Sequence, residues 1–96
     1  MNFEITPKST ETRLIWDDAR LYCFSLNIEG KVGWRLPTKE ELNEIYQSEN
    51  DFEKLWYWSS TERYGGAWCQ NFNNGYQNYY YKYGDGYYVR AIRTTV

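Results

Sequence analysis

The sequence contains no histidine, only two cysteines and two prolines, and no long hydrophobic run. Histidine is the usual base that activates a hydroxyl or thiol nucleophile, so its absence argues against enzymes of the triad type. The cysteines, Cys23 and Cys69, lack the paired C-x-x-C spacing of zinc sites, and we predict neither a metal nor a cofactor. They could form one disulfide or remain reduced as small hydrophobic side chains.

Charge and hydropathy argue against two classes of partner. The net charge is −2, and no basic stripe is present that could displace counterions from nucleic acid. No apolar segment approaches the roughly 20 residues that a membrane span needs. The N-terminus shows no basic segment followed by an apolar one, so no signal peptide is visible. A chain that acts at a virion or cell surface would therefore reach it by another route.

Aromatic residues are abundant, with five Trp, four Phe and eleven Tyr in 96 residues. The length predicts a single domain, residues 1–96. The segment Cys69–Tyr88 holds seven Tyr, four Asn and three Gly in twenty positions. Tyr offers a large contact area with few torsions to restrict, and Asn and Gly add adaptable hydrogen bonds and turns, as in antibody binding loops. This composition indicates recognition.

Two amphipathic helices are predicted in the first half of the chain. Apolar residues at steps of three and four from Trp16 to Leu26 form one stripe. Thr38, followed three residues later by Glu41, is typical of a capping box that begins a second helix. Leu42, Ile45 and Tyr46 would continue its buried face.

The remaining segments favour β structure. Asn2–Ile5 could be a first strand, and Thr6–Thr12 would be a loop. The strands predicted after residue 54 are Tyr57–Ser60, Ala67–Phe72, Tyr76–Tyr83 and Tyr87–Thr94. Asn73-Asn74-Gly75 is a strong hairpin signal, because Asn-Gly tolerates the positive φ of tight turns. The pattern predicts an α+β domain with an antiparallel sheet.

A set of arginines and a run of hydroxyl residues could suggest anion binding and catalysis, but we favour structural roles for both. Arg35, Arg90 and Arg93 could bind an anion. Arg35, however, lies in a Trp-Arg-Leu-Pro motif and is expected to bond backbone atoms or Glu62. The hydroxyls of Ser59-Ser60-Thr61 have no evident base beside them.

The acidic pairs Asp17-Asp18 and Glu40-Glu41 could suggest the two carboxylates of a glycosidase. Each pair lies in the first turn of a predicted helix, where negative charge is favourable in any case. We therefore predict no enzymatic activity.

Five sequence motifs follow one another between about residues 16 and 93. They are Trp16-x-x-Ala19-x-x-Tyr22-Cys23-x-x-Leu26, Gly33-Trp34-Arg35-Leu36-Pro37-Thr38-x-x-Glu41-Leu42, Tyr57-Trp58-Ser59-Ser60-Thr61-Glu62, Ala67-Trp68-x-x-x-Phe72 and Tyr88-Val89-Arg90-Ala91-Ile92-Arg93. Together, and in this order, they resemble a known bacterial and phage domain, the C-terminal domain of a collagen-like adhesin.

The resemblance implies a compact C-type-lectin-like fold, in which two helices flank an antiparallel sheet. It also implies a relation to the variable proteins of diversity-generating retroelements, whose Asn codons are mutated at adenines. The calcium-binding sugar motifs of true C-type lectins are absent from this sequence, so a calcium-bridged site is not carried over.

The sequence thus predicts a non-enzymatic domain that binds a protein or glycan on a cell surface, in a retroelement-diversified, phage receptor-binding or adhesin protein. The alternative is a small assembly subunit, such as a virion decoration, that forms a homo-oligomer through its aromatic face. We expect the hairpin to leave one continuous row of phenol rings in contact with water. The predicted binding residues are Trp68, Gln70, Asn71, Asn73, Asn74, Tyr76, Asn78, Tyr80, Tyr81, Tyr83, Asp85 and Tyr87.

Overall fold

The computed structural model describes residues 1–95, in which two α-helices pack with two sheets. Five strands form a sheet in the order β2-β6-β3-β4-β5, and β1 pairs with β7 in a second sheet. This arrangement confirms the α+β class. The elements are β1 (Phe3–Ile5), β2 (Thr12–Leu14), α1 (Trp16–Ser25), α2 (Lys39–Tyr46), β3 (Trp56–Arg63), β4 (Gly66–Asn71), β5 (Gln77–Tyr81), β6 (Tyr87–Val89) and β7 (Ile92–Thr94), with a 3-10 turn at Lys8–Thr10.

The larger sheet separates two hydrophobic clusters. Successive side chains of a strand point to opposite faces, so Tyr57 and Trp58 on β3 enter different clusters. The α1 face holds Trp58 together with Trp16 and other side chains of α1, and the α2 face holds Tyr57 together with Leu42 and Ile45. Both helices therefore bury one stripe, as the periodicity predicted. Neither helix of residues 1–95 has the length and apolar run of a membrane span.

The cysteines are both free and buried in the α1-face cluster, so the disulfide alternative does not occur. Burial raises the pKa of the Cys23 thiol to about 12. The pKa of Cys69 is raised for the same reason. Both side chains therefore remain neutral thiols that fill space between α1 and the sheet.

The prediction of one last strand, Tyr87–Thr94, is wrong, because this segment forms the two strands β6 and β7. The chain leaves the large sheet after Val89 and enters the small sheet at Ile92, because the Arg90 side chain turns into a buried ion-pair network. The fully antiparallel sheet is also corrected, since β3 and β6 run parallel where Tyr57 faces Tyr88. The strand β2 was missed because Thr12–Leu14 is short and was partly assigned to a loop.

Helix α2 begins at the predicted capping box. The Thr38 hydroxyl accepts from the Glu41 backbone N–H at 3.1 Å, and the Glu41 carboxylate accepts from the Thr38 N–H at 2.8 Å. The same carboxylate receives two hydrogen bonds from Arg35, at 2.7 and 2.9 Å. Arg35 therefore pairs with Glu41 and not with Glu62, which pairs with Lys82.

Replacing Glu41 by Gln is expected to lower the free energy of unfolding by about 1 kcal/mol at pH 7, because Gln keeps the cap but loses the bidentate, partly exposed Arg35 ion pair. The Arg35 hydrogen bonds hold the pKa of Glu41 at about 2 in the folded protein. In the unfolded chain the pKa of this carboxyl is about 4.3, so the depressed pKa stabilises the fold at pH values above about 4.3. The stabilisation is lost as the pH falls through about 2, where the carboxylate of the folded protein is protonated. The difference between Glu41→Gln and the parent should therefore shrink in urea titrations taken from pH 7 to pH 2.

The exposed neighbour Glu40 supplies the control for this prediction. It shares the first turn of α2 but makes no ion pair with a residue of the described chain. Glu40→Gln should change the unfolding free energy by less than about 0.5 kcal/mol. A Glu41→Gln effect that did not vary with pH would contradict the role of the Arg35 pair.

Candidate functional site

The predicted binding residues of the β4–β5 hairpin are divided between the two faces of the sheet. Ala67 pairs with Tyr80, and the next pair along the strands is Trp68 with Tyr79. Because neighbouring positions alternate, Tyr80 points to the α1 face and Trp68 to the α2 face. The expected continuous row of phenol rings is therefore wrong, and two separate aromatic groups are present.

The first group, here called the aromatic platform, consists of Trp56, Tyr76, Tyr80 and Tyr87 on the α1 face. The ring centroids of Trp56 lie 6.2 Å from Tyr76 and 5.1 Å from Tyr80, both edge to face. Tyr80 in turn lies 5.1 Å from Tyr87. Tyr76 is 60% exposed, and the other three rings are half-buried. The platform is thus open to solvent on one side.

A fully buried tryptophan supports the platform from below. The ring centroid of Trp58 lies 5.0 Å from that of Tyr87, and its indole N–H donates to the Leu14 carbonyl at 2.8 Å. Burial raises the pKa of the Tyr87 phenol. The rings of the platform are therefore held in place before any ligand arrives.

Three asparagines lie at or beside the platform. Asn71, Asn74 and Asn78 each accept a hydrogen bond from a nearby backbone N–H through Oδ1, at 2.8–2.9 Å. These bonds fix the orientation of each amide. The Nδ2 groups donate to no protein atom within residues 1–95, so each can donate to a ligand.

The second group, here called the cation–aromatic cluster, consists of Lys39, Arg63, Tyr64, Trp68 and Tyr79 on the α2 face. The Lys39 ammonium lies 3.6 Å from the Trp68 ring centroid. The Arg63 guanidinium carbon lies 4.8 Å from the Tyr79 centroid and 5.7 Å from that of Trp68. This cluster differs from the platform in chemistry, because it carries two positive charges.

The prediction that Gln70 binds a ligand is wrong, because its side chain is fully buried and faces α2. Its Nε2 donates to the Asn43 side chain at 2.9 Å and to the Gly75 carbonyl at 3.1 Å. Gln70 therefore ties the hairpin to α2 and is not part of an exposed surface.

Four further predicted residues are exposed but lie outside the platform. Tyr81 and Tyr83 contact each other with centroids 5.7 Å apart, and the Tyr83 hydroxyl donates to Asp17 at 2.9 Å. Asn73 lies in the hairpin loop and Asp85 in the turn before β6. The sequence interpretation missed Trp56, although the alternation of Trp56-Tyr57-Trp58 puts both Trp side chains on one face.

A cleft of about 530 Å³ lies elsewhere, between α1 and the segment Trp34–Leu36. The exposed side chains of Leu21 and Phe24 line it, together with the charged Asp17 and Arg20. None of the predicted binding residues belongs to this lining, and the sequence interpretation did not identify it. Within residues 1–95, no cluster of three or more His, Cys, Asp or Glu is arranged to hold a metal ion.

The sequence model of the Lcl C-terminal domain family matches residues 3–93 of the chain. The chain belongs to the Lcl C-terminal domain family. This confirms the resemblance found in the motifs, which the match extends to β1 at the N-terminal side. The comparison of this Lcl C-terminal domain with curated proteins gave no match. The relation to C-type lectins and to retroelement variable proteins stays a prediction.

Proposed function

We propose that this Lcl C-terminal domain binds a glycan through the aromatic platform, without catalysis. The apolar face of a neutral sugar ring would stack on Trp56, Tyr76 and Tyr80, because each ring presents a flat apolar surface and a nearby polar atom. The Asn amides would hydrogen-bond the sugar hydroxyls and fix the orientation of the ligand. No charge is needed for such binding, and the platform contains no acidic or basic residue.

The observation that supports this proposal is the exposure of rings that a core would normally bury. Four aromatic side chains form a continuous chain of ring contacts, two edge to face and one tilted, yet one side of the group stays open to solvent. Large aromatic side chains at the centre of an interface often contribute more than about 2 kcal/mol to binding when they are preorganised. The platform meets that condition because Trp58 and the strands fix its rings.

The place where this domain would act is proposed from its family resemblance. The resemblance to the C-terminal domain of a collagen-like adhesin supports display on a virion or a bacterial cell surface. Retroelement diversification is supported by Asn74 and Asn78, which lie beside the platform and belong to the Asn-rich segment. A nearby reverse transcriptase and a copy of the 3′ end differing at adenines would test the diversification directly.

Tyr76→Ala is expected to weaken glycan binding at least about tenfold, because it removes the most exposed ring of the platform. The unfolding free energy should change by less than about 1 kcal/mol, since Tyr76 is 60% exposed. A glycan array would first identify the ligand, and calorimetric titration of that glycan would then give the Kd of each variant.

Tyr83→Ala is the matched control, because Tyr83 is 56% exposed and lies outside the platform. It should leave the Kd unchanged. Equal losses from both substitutions would contradict a site at the platform. An array without a binder, tested with folded protein, would contradict the glycan and favour a protein ligand.

A second candidate function is assembly into a homo-oligomer, and the exposed Leu21 and Phe24 favour it. Both apolar side chains line the cleft beside α1, where a partner subunit would cover them. Sedimentation equilibrium tests assembly separately from glycan binding. A stable oligomer would support contact through the cleft, whose lining contains no platform residue, whereas a monomer would exclude assembly.

A further inference from the structure

The cation–aromatic cluster holds two positive charges that the protein does not neutralise. Within residues 1–95, neither Lys39 nor Arg63 forms an ion pair with a carboxylate. Most other basic side chains near the sheet differ in this respect, as Lys82 pairs with Glu62 and Arg90 pairs with Glu11. The two unpaired cations lie against the same ring, that of Trp68.

The guanidinium of Arg63 is oriented by three aromatic rings. Its central carbon lies 4.8 Å from the Tyr79 centroid, 5.3 Å from Tyr64 and 5.7 Å from Trp68. A guanidinium that packs on rings can keep its N–H edge available for a planar acceptor. A carboxylate is the acceptor that this edge fits best, because two parallel N–H···O bonds can form.

A shallow depression of about 240 Å³ adjoins Arg63. Tyr64, Gly65, Gly66 and the segment Tyr79–Tyr81 also line it. Gly66 approaches β5 so closely that an added Cβ would lie 2.6 Å from the Tyr80 carbonyl oxygen. A side chain at position 66 would clash with β5, so a small residue is needed there, and the volume of about 240 Å³ offers room for about one side chain beside Arg63.

We propose that the cation–aromatic cluster binds an acidic side chain, Asp or Glu, of a protein partner. The carboxylate accepts two hydrogen bonds from Arg63, the Lys39 ammonium adds a second positive charge, and the carbon stem packs in the depression beside Tyr64. The cation–aromatic cluster lies on the face of the β4–β5 hairpin opposite to the platform, and Tyr80 is the one platform residue that also lines the depression.

The charge distribution favours an acidic protein segment over a long polyanion. A nucleic acid or sulfated polysaccharide gains affinity from many cations along a stripe. This chain has a net charge of −2 and presents only two unpaired cations at the cluster. One or two carboxylates on a neutral backbone match that number.

The test uses two blocked tetrapeptides, one with the sequence Gly-Glu-Glu-Gly and one with Gly-Gln-Gln-Gly. Titration of each into the isotopically labelled protein is followed by NMR at the indole N–H of Trp68 and the amides of Gly65 and Gly66. The Glu peptide should shift these signals saturably and the Gln peptide should not. Arg63→Gln should weaken the binding of the Glu peptide by about tenfold or more, since it removes the side chain that donates two hydrogen bonds to the carboxylate.

Lys54→Gln is the control, because Lys54 is also exposed but lies outside the cluster. It removes the same unit of charge and should leave the affinity for the Glu peptide unchanged. Equal shifts from both peptides, or equal losses in Arg63→Gln and Lys54→Gln, would overturn the proposal. Binding of a sulfated polysaccharide at these same signals, without a response to the Glu peptide, would overturn it in favour of a polyanion.

Discussion

Arg90→Ala is expected to reduce the free energy of unfolding by about 3–5 kcal/mol, a large part of the stability of a small domain. Arg90 is 3% exposed, and its guanidinium bonds Glu11 at 3.0 Å, Asp51 at 2.8 Å and the Thr6 carbonyl at 2.8 Å. Removing it leaves the buried Glu11 carboxylate with only the more distant and partly exposed Lys8 ammonium, 4.0 Å away, as a cation. Only the Tyr57 hydroxyl, 2.8 Å away, would still donate to that carboxylate oxygen.

Arg93→Ala is the matched control for Arg90→Ala. Arg93 lies three residues along the chain and also bonds a carboxylate, that of Glu4 at 2.8 Å, but it is 34% exposed. A pair in contact with water contributes about 0–1 kcal/mol, so the control should remain close to the parent. Urea titrations at pH 7 measure both variants. A loss below about 1 kcal/mol in Arg90→Ala would show that water replaces the guanidinium in the network.

The Arg90 network also shows why the C-terminal strands could not be predicted from the sequence. Tyr87–Thr94 has β-forming residues throughout, so local propensity favours one strand. The chain is divided because Arg90 reaches Glu11 and Asp51, which are 79 and 39 residues away in the sequence. Contacts between residues so far apart in the sequence leave no pattern among neighbouring residues. The helices were predictable, in contrast, because the Thr38–Glu41 cap and the apolar stripes are local features.

The candidate site was predicted only in part, for a similar reason. Composition correctly marked the segment from Trp68 to Tyr87 as one that leaves several aromatic rings in contact with solvent. The alternation of a strand places Tyr80 and Tyr79 on opposite faces, but it does not say which neighbours cover each face. The α2 contacts decide this point, because Gln70 bonds Asn43 and becomes buried although its residue type favours the surface. Trp56 belongs to the aromatic platform and Arg63 to the cation–aromatic cluster only through tertiary contacts.

Gly75→Ala is expected to destabilise the domain by roughly 2–4 kcal/mol, because two costs combine at this position. Gly75 has a φ of +81°, which side chains of L-residues rarely adopt. An added Cβ would also lie 2.5 Å from a ring carbon of Tyr46, the last residue of α2. The methyl group would push the hairpin loop away from α2 and strain the Gly75 carbonyl that accepts from Gln70.

Gly33→Ala separates the two costs. Gly33 has a similar φ of +87°, but nothing lies within 4 Å of the position that an added methyl group would take, so only the backbone cost of about 1–2 kcal/mol applies. Thermal and urea unfolding of the two variants give the contribution of the Tyr46 contact as their difference. Because Tyr76 follows Gly75 directly, Gly75→Ala should also weaken ligand binding at the platform, whereas Gly33→Ala should not. Equal destabilisation by both substitutions would show that the Tyr46 ring moves aside freely, and the loop would then not be fixed against α2.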